Sequence, residues 1–387
     1  MRWRALRPVG EPLGPIRADI RPEDLLPSGF QAVFVQSGTA ALALALLTVK
    51  SQAPASRSRV ILPAYGCPDL VAATLYAGLE PYLVDTAPDS PFYDQAALAR
   101  ELDERVLAVV CAHFLGFREQ IADVAAIASR AGAVVVEDSA QALPPLDGDG
   151  LADLVVMSFG RGKPAGALGG GTLLLRGAWI DALVIEHIGA PNAGPVLPLP
   201  FRRLVYNLVI TPHVYGPLSR IEALGIGETR YTPLATIRAL DEDSIKSALS
   251  QMHCAVSGAM HNATRAKSLL RALAESAHIV PVPWIERGIG SGLITRLPLL
   301  APTKSLRNQL HDRLRDSGLG SSAMYGRWLP EISQIPPLSL PWSNTAKDFA
   351  ERLLTLPVHS GLLQTDMAKV IRTVRLCLAD TARDPRP

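Results

Sequence analysis

Between Arg59 and Arg176 the chain alternates short apolar runs with helical patterns, and this alternation limits its fold more than any other feature. VILPAY (Val60–Tyr65), PYLVD (Pro81–Asp85), VLAVVCAH (Val106–His113), AVVVED (Ala133–Asp138), LVVMSF (Leu154–Phe159) and GTLLLR (Gly171–Arg176) read as strands. PDLVAATLYAG (Pro68–Gly78) starts on a proline and stops on a glycine, as helices do. A helix around Gln95–Leu102 and the amphipathic IADVAAIASRAG (Ile121–Gly132) fall between later strands. Upstream, SGTAALALALLTV (Ser37–Val49) reads as a helix with Ser37 or Thr39 near its N-cap. Val- and Leu-rich strands separated by helices predict an α/β fold, with a mostly parallel sheet covered on both faces.

After Arg176 the pattern changes. Residues 177 to about 230 read as helical but interrupted by prolines, and a long helix follows over Asp241–Ala274. The last hundred residues alternate more loosely: HIVPVPW, GLITRLPLL, a basic helix near Lys304–Asp316, LLTLPVHS and a closing helix Thr365–Leu378. The expected division is a large domain over 1–240 and a smaller α/β domain over 241–387, which suits a 387-residue chain.

Composition narrows the function classes. A net charge of +2 is too balanced for a nucleic-acid binder. Four cysteines (Cys67, Cys111, Cys254, Cys377) without CxxC spacing argue against a zinc site or a disulfide scaffold, and suit a reducing cytoplasm. MRWRALRPVG has no apolar core of a signal peptide. No apolar run reaches the length of about 18 residues that a spanning helix needs. Prolines and arginines break the nearest case, the segment 190–226, which reads as dimer contact or core before it reads as a membrane surface.

In open α/β sheets, ligands sit beyond the carboxyl ends of the strands. That rule selects Tyr65–Cys67, His113, Asp138–Gln141 and Ser158–Lys163. His113 alone reads equally as a hydrogen-bonded structural residue. Lys163 lies in SFGRGKPAGALGGG, which admits three readings. A phosphate loop, G-x-x-x-x-G-K-[ST], fails because Met157 and Pro164 occupy two of its fixed positions. A dinucleotide fingerprint is satisfied by Gly160, Gly162 and Ala165, but it should open a helix, and AGALGGG does not propagate one. The third reading is a lysine that joins a cofactor covalently. That chemistry also needs an acid beside a pyridine nitrogen and donors for a phosphate. Asp138, Ser158 and the Gly38–Thr39–Ala40 amides supply both.

SGTAAL, PAYGCPDLVAATLYAG with PYLVD, HFLG at 113–116, VEDSAQA at 136–142 and S-F-x-x-x-K at 158–163 together resemble the DegT/StrS-type aminotransferases. The resemblance runs from about Ser37 to Gly171 and resumes in LTLPVHSGLLQTDMAKVIRTVR. It implies a fold-type-I, pyridoxal 5′-phosphate-dependent transferase, with a mostly parallel seven-stranded sheet and a smaller C-terminal α/β domain. Carried over by position, Lys163 matches the Schiff-base lysine and Asp138 the partner of the pyridine nitrogen. Gln141 matches the residue that bonds the ring hydroxyl. Ser158 and the Thr39 and Ala40 amides match phosphate donors. Cys67 falls where the family carries an aromatic residue stacked on the ring, with Tyr65 as a nearby substitute.

Two further departures bear on substrate. Gly169 stands where the family often has glutamate, and GETRY (Gly227–Tyr231) replaces a motif whose asparagine reaches the neighbouring subunit's phosphate, leaving Arg230 or Arg238 as substitutes. The resemblance implies a homodimer. It also implies glutamate or glutamine as amino donor, and a keto sugar nucleotide or another small carbonyl metabolite as acceptor. A dehydratase of the same fold and a non-catalytic regulatory or assembly protein are the alternatives.

Overall fold

The computed structural model describes residues 4–191, 197–221, 228–275, 282–289, 293–338 and 344–383. Parts of HIVPVPW, GLITRLPLL and the 190–226 segment, and Gly227 of GETRY, lie outside the described residues.

The expected alternation is present. The first half runs β1 (Gln31–Val35), α1 (Gly38–Ser51), β2 (Arg59–Pro63), α2 (Asp69–Tyr76), β3 (Glu80–Val84), α3 (Gln95–Glu101), β4 (Val106–Ala112), α4 (Ile121–Arg130), β5 (Val134–Asp138), β6 (Leu154–Ser158) and β7 (Gly171–Leu175). These seven strands form one sheet, ordered β1-β7-β6-β5-β4-β2-β3. The β3, β2, β4, β5 and β6 pairings are parallel, and β7 runs antiparallel to both β6 and β1. Six of the strands are the six apolar runs of the sequence. The seventh, β1, is not among them.

Burial explains why the runs are continuous. Every residue of β2 and β7 is buried, since helices cover both faces. α1 packs against α2, β6 and β7 on one face, and α3 and α4 pack on the other. α1 is itself almost wholly buried, which its run of Ala and Leu permits. The chain passes from β2 outward to β3, then returns to β4 on the other side of β2. That reversal opens a crevice at the carboxyl ends of the strands.

The second half contains β8 (Ile188–Gly189), α5 (Leu199–Val209), α6 (Pro212–Leu218), β9 (Ile237–Arg238), α7 (Glu242–Ala274), α8 (Pro283–Gly288), β10 (Arg296–Leu300), α9 (Lys304–Asp316), α10 (Thr345–Arg352), β11 (Leu353–Pro357) and α11 (Gln364–Arg383). α7 begins where Asp241 caps it, its carboxylate accepting from the Ser244 amide at 2.9 Å, and it runs about 50 Å at the usual rise. β10 and β11 pair antiparallel, with α9 and α11 packed beside them. The N-terminal segment is tied to this half. Arg4 grips Asp366 with two bonds of 2.8 and 2.7 Å, the Leu6 amide donates to Gly318 O, and His359 Nε2 donates to Arg7 O.

Phe201, Leu204, Val205 and Leu208 of α5 are exposed rather than core. No helix among the described residues is long and apolar enough to cross a membrane.

Candidate active site

The residues selected by the strand-end rule line one cavity. Ser37, Gly38 and Thr39 enter from the start of α1, Cys67 from the loop after β2, and His113 from the end of β4. Asp138 and Gln141 follow β5, and Ser158 and Lys163 follow β6. Residues more than a hundred positions apart thus meet because each follows a strand that ends at this edge of the sheet.

Asp138 is the last residue of β5. Its Oδ1 accepts from the Ala140 amide at 2.9 Å, and its backbone oxygen accepts from the His113 amide at 3.0 Å. Burial pushes its carboxyl above the ordinary value, against the pull of the Ala140 amide and the positive Lys163. A carboxylate so placed gains by meeting a second cation, such as a protonated ring nitrogen.

The α1 terminus is cut to hold an anion. Ser37 caps the helix, its Oγ accepting from the Ala40 amide at 3.1 Å. That bond occupies Ala40, which is fully buried and does not line the cavity; Gly38 and Thr39 do. Ser158 faces them across a narrow gap. A Cβ on Gly38 would stand 2.7 Å from Ser158 Cβ and 3.0 Å from its Oγ. Gly38→Ala is therefore expected to displace Ser158 and weaken phosphate-ester binding about tenfold, measured by titrating pyridoxal phosphate into the apoprotein.

Gln141 is fixed from two sides. Its Nε2 donates to Tyr325 Oη at 2.6 Å and its Oε1 accepts from the Leu115 amide at 3.2 Å. Tyr325 also lines the cavity, and no local pattern in SSAMYGRW marks it. Cys67 lines the cavity too, but burial, with Asp69 nearby, pushes its thiol up to about 12. It is a neutral thiol near neutral pH, not a nucleophile. Tyr65, its substitute from the sequence, is 2% exposed and wedged among Phe114, Phe349 and Tyr325 at 4.9 to 5.6 Å. Its ring is occupied by that packing.

The structure resolves the two readings of His113. Its Nδ1 accepts from the Glu119 amide at 3.0 Å, so Nε2 carries the proton it donates to Glu137 Oε1 at 2.8 Å. Both nitrogens are committed, which makes His113 a structural residue. Glu137, fully buried, also accepts from Arg118 at 2.9 Å, Ser139 Oγ at 3.1 Å and the Ala152 amide at 3.0 Å. This hub fixes β4, β5 and the loop to β6 beneath Asp138. No local motif signals this hub, because its members meet only in space.

The Lys163 loop turns without forming a helix between β6 and β7. The dinucleotide fingerprint therefore lacks its helix, as the sequence indicated. Gly169 takes φ +149°, a backbone that side chains disfavour, although nothing lies within 4 Å of where its Cβ would stand. A glutamate at this position would have space but a strained backbone. Arg230 pairs with Glu228 at the surface, and the Arg238 amide donates to Gln36 Oε1 at 2.7 Å.

An amine, a buried carboxylate, and a helix terminus with a facing hydroxyl fit the three attachment points of pyridoxal phosphate. Residues 29–181 match the profile of the DegT/DnrJ/EryC1/StrS aminotransferase family. Over that segment, 153 of the 387 residues, the chain is similar to this family. The segment carries every residue named above on the cavity wall except Tyr325. Two curated relatives are similar to parts of this chain. Protein MosB of Rhizobium meliloti is 32% identical over 43% of this chain and 33% of its own length. A UDP-N-acetyl-3-dehydro-α-D-glucosamine 3-aminotransferase of Acidithiobacillus ferrooxidans is 31% identical over 36% of this chain and 38% of its own length. The matched part thus spans only about a third of each relative's length. Solved structures show the fold over nearly the whole chain. PseC of Helicobacter pylori, an aminotransferase involved in the biosynthesis of pseudoaminic acid, aligns over 97% of this chain and 100% of its own, at 15% identity and a TM-score of 0.71. 3-Amino-5-hydroxybenzoic acid synthase aligns over 90% and 86%, at 19% identity and a TM-score of 0.69. At 15% and 19% identity, these likenesses are of fold.

Proposed function

We propose that the chain is an aminotransferase that moves an amino group from glutamate or glutamine to the carbonyl carbon of a keto sugar nucleotide or a related metabolite. The observation that carries this reading is the meeting of Lys163, Asp138, Gln141 and Ser158 on one cavity. The name of the Acidithiobacillus relative supports a sugar acceptor.

Bound here, pyridoxal phosphate supplies an aldehyde carbon and an electron-withdrawing ring. Ser158 and the amides of Gly38 and Thr39 hold its phosphate. Asp138 keeps a proton on the ring nitrogen, and Gln141, braced by Tyr325, orients the ring hydroxyl. Lys163 anchors the aldehyde carbon. Its Nζ would be the base that takes the proton from the donor's α-carbon and later returns one, the donor leaving as its 2-oxo acid. Lys163 Nζ would likewise hand a proton to the acceptor carbon, whose C=O would become CH–NH2 with its oxygen lost as water.

The exposed apolar face of α5 supports a homodimer through this region, and four free cysteines suit a cytoplasmic location. Arg230 or Arg238 would then reach the partner's phosphate. The test is a donor half-reaction: glutamate should convert the cofactor's visible absorbance to that of the amine form, and a screen of keto sugar nucleotides should restore it. A protein that cannot be loaded with cofactor would defeat the reading.

A further inference from the structure

A second cavity lies on the other side of Lys163, which lines both. Its walls are the N-terminal segment Val9–Pro12, the middle of α7, and His359–Ser360 after β11. Three polar side chains form a relay along it. Arg265 Nη1 donates to Asn262 Oδ1 at 3.0 Å, Asn262 Nδ2 donates to Glu11 Oε1 at 3.3 Å, and Glu11 accepts from the Ser360 amide at 2.9 Å and from the Ser360 hydroxyl. Asn262 is 7% exposed. Arg265 has no carboxylate partner among the described residues, so most of its donors remain free toward the cavity.

We propose that this cavity holds the sugar-like, polyhydroxylated part of the carbonyl acceptor, with Arg265, Asn262 and Glu11 as its specificity-determining residues. The proposal rests on the amino-transfer reading above. A guanidinium, an amide and a carboxylate side by side offer donors and acceptors to vicinal hydroxyls. Glu11, set within this relay, places a carboxylate that opposes a phosphate or a second carboxylate beside Arg265. The shared wall at Lys163 brings a carbonyl carbon held here to the amine that handles the proton.

Cys254 gives a direct probe, because it is exposed, lines this cavity, and is distant in sequence from the lysine loop. In the cofactor-loaded protein, UDP-N-acetylglucosamine is expected to slow iodoacetamide alkylation of Cys254 at least about fivefold, read by peptide mass spectrometry. Arg265→Ala should remove that protection and raise KM for a keto sugar nucleotide about 10- to 100-fold. It should leave the glutamate half-reaction within about twofold. Arg265→Lys, which keeps the charge but loses the fork, should fall between. Unaltered Cys254 alkylation in the presence of the nucleotide sugar, or protection that survives in Arg265→Ala, would overturn the proposal. A rise in the glutamate KM would also overturn it, by assigning Arg265 to the donor. Absence of the half-reaction in the unmutated protein would instead defeat the amino-transfer reading, whereas Cys254 protection is read without turnover.

Discussion

Lys163→Ala is expected to lower amino transfer at least about a thousandfold while leaving the fold intact. The size follows from the roles removed: covalent anchoring and proton transfer at one nitrogen. The fold should survive because the Lys163 side chain makes no hydrogen bond or ion pair among the described residues. Its backbone amide, which donates to Gly160 O at 3.2 Å, is unaffected by the substitution. The thermal midpoint should therefore stay within about 2 °C. Lys163→Arg should be equally inactive, since a guanidinium stays protonated and cannot take a proton. Steady-state rates and a thermal melt on the same samples check both halves. Retained turnover would remove Lys163 from the chemistry.

Glu137→Ala is expected to do the opposite: to damage the fold first. The carboxylate receives four donors in a fully buried setting, and its removal leaves His113, Arg118, Ser139 and the Ala152 amide without their acceptor. Breaking such a hub from one side costs about 3–5 kcal/mol. Urea unfolding would show it as a lower midpoint. The hub also predicts a pH dependence. Burial pushes the Glu137 carboxyl up, but the bond from His113, with His113 and Arg118 nearby and the Ala152 amide, outweighs it and holds the group below its ordinary value of 4.5. A depressed carboxyl stabilises the folded state above the unfolded value and loses that contribution as pH falls through the folded one. Stability of the unmutated protein should therefore drop below about pH 4.5. Glu137→Gln should be less stable at neutral pH and should show a flatter acid limb.

Much of the site was legible because its residues end strands whose apolar runs are continuous. Both faces of β2, β4 and β6 are buried, so the runs stand out, and the polar residues after them stand out in turn. β1 was not legible. Its half-exposed QAVFV gains its identity only by pairing with β7, from Gln31 opposite Leu175 to Val35 opposite Gly171. Tyr325 reaches Gln141 across 184 positions, and Glu11 reaches Ser360 across 349, distances over which no periodicity carries a signal. The Ala40 amide shows a finer limit. The motif was read as a phosphate donor, but the Ser37 cap consumes that donor and leaves Gly38 and Thr39 on the cavity. His113 was ambiguous for a similar reason, since only its partners Glu119 and Glu137 fix its tautomer.

Borohydride reduction tests the central claim most directly. The protein, loaded with pyridoxal phosphate and reduced, should lose its visible absorbance, and peptide mass spectrometry should find the pyridoxyl group on Lys163. A cofactor found on another lysine, or a protein that takes up none, would contradict the account.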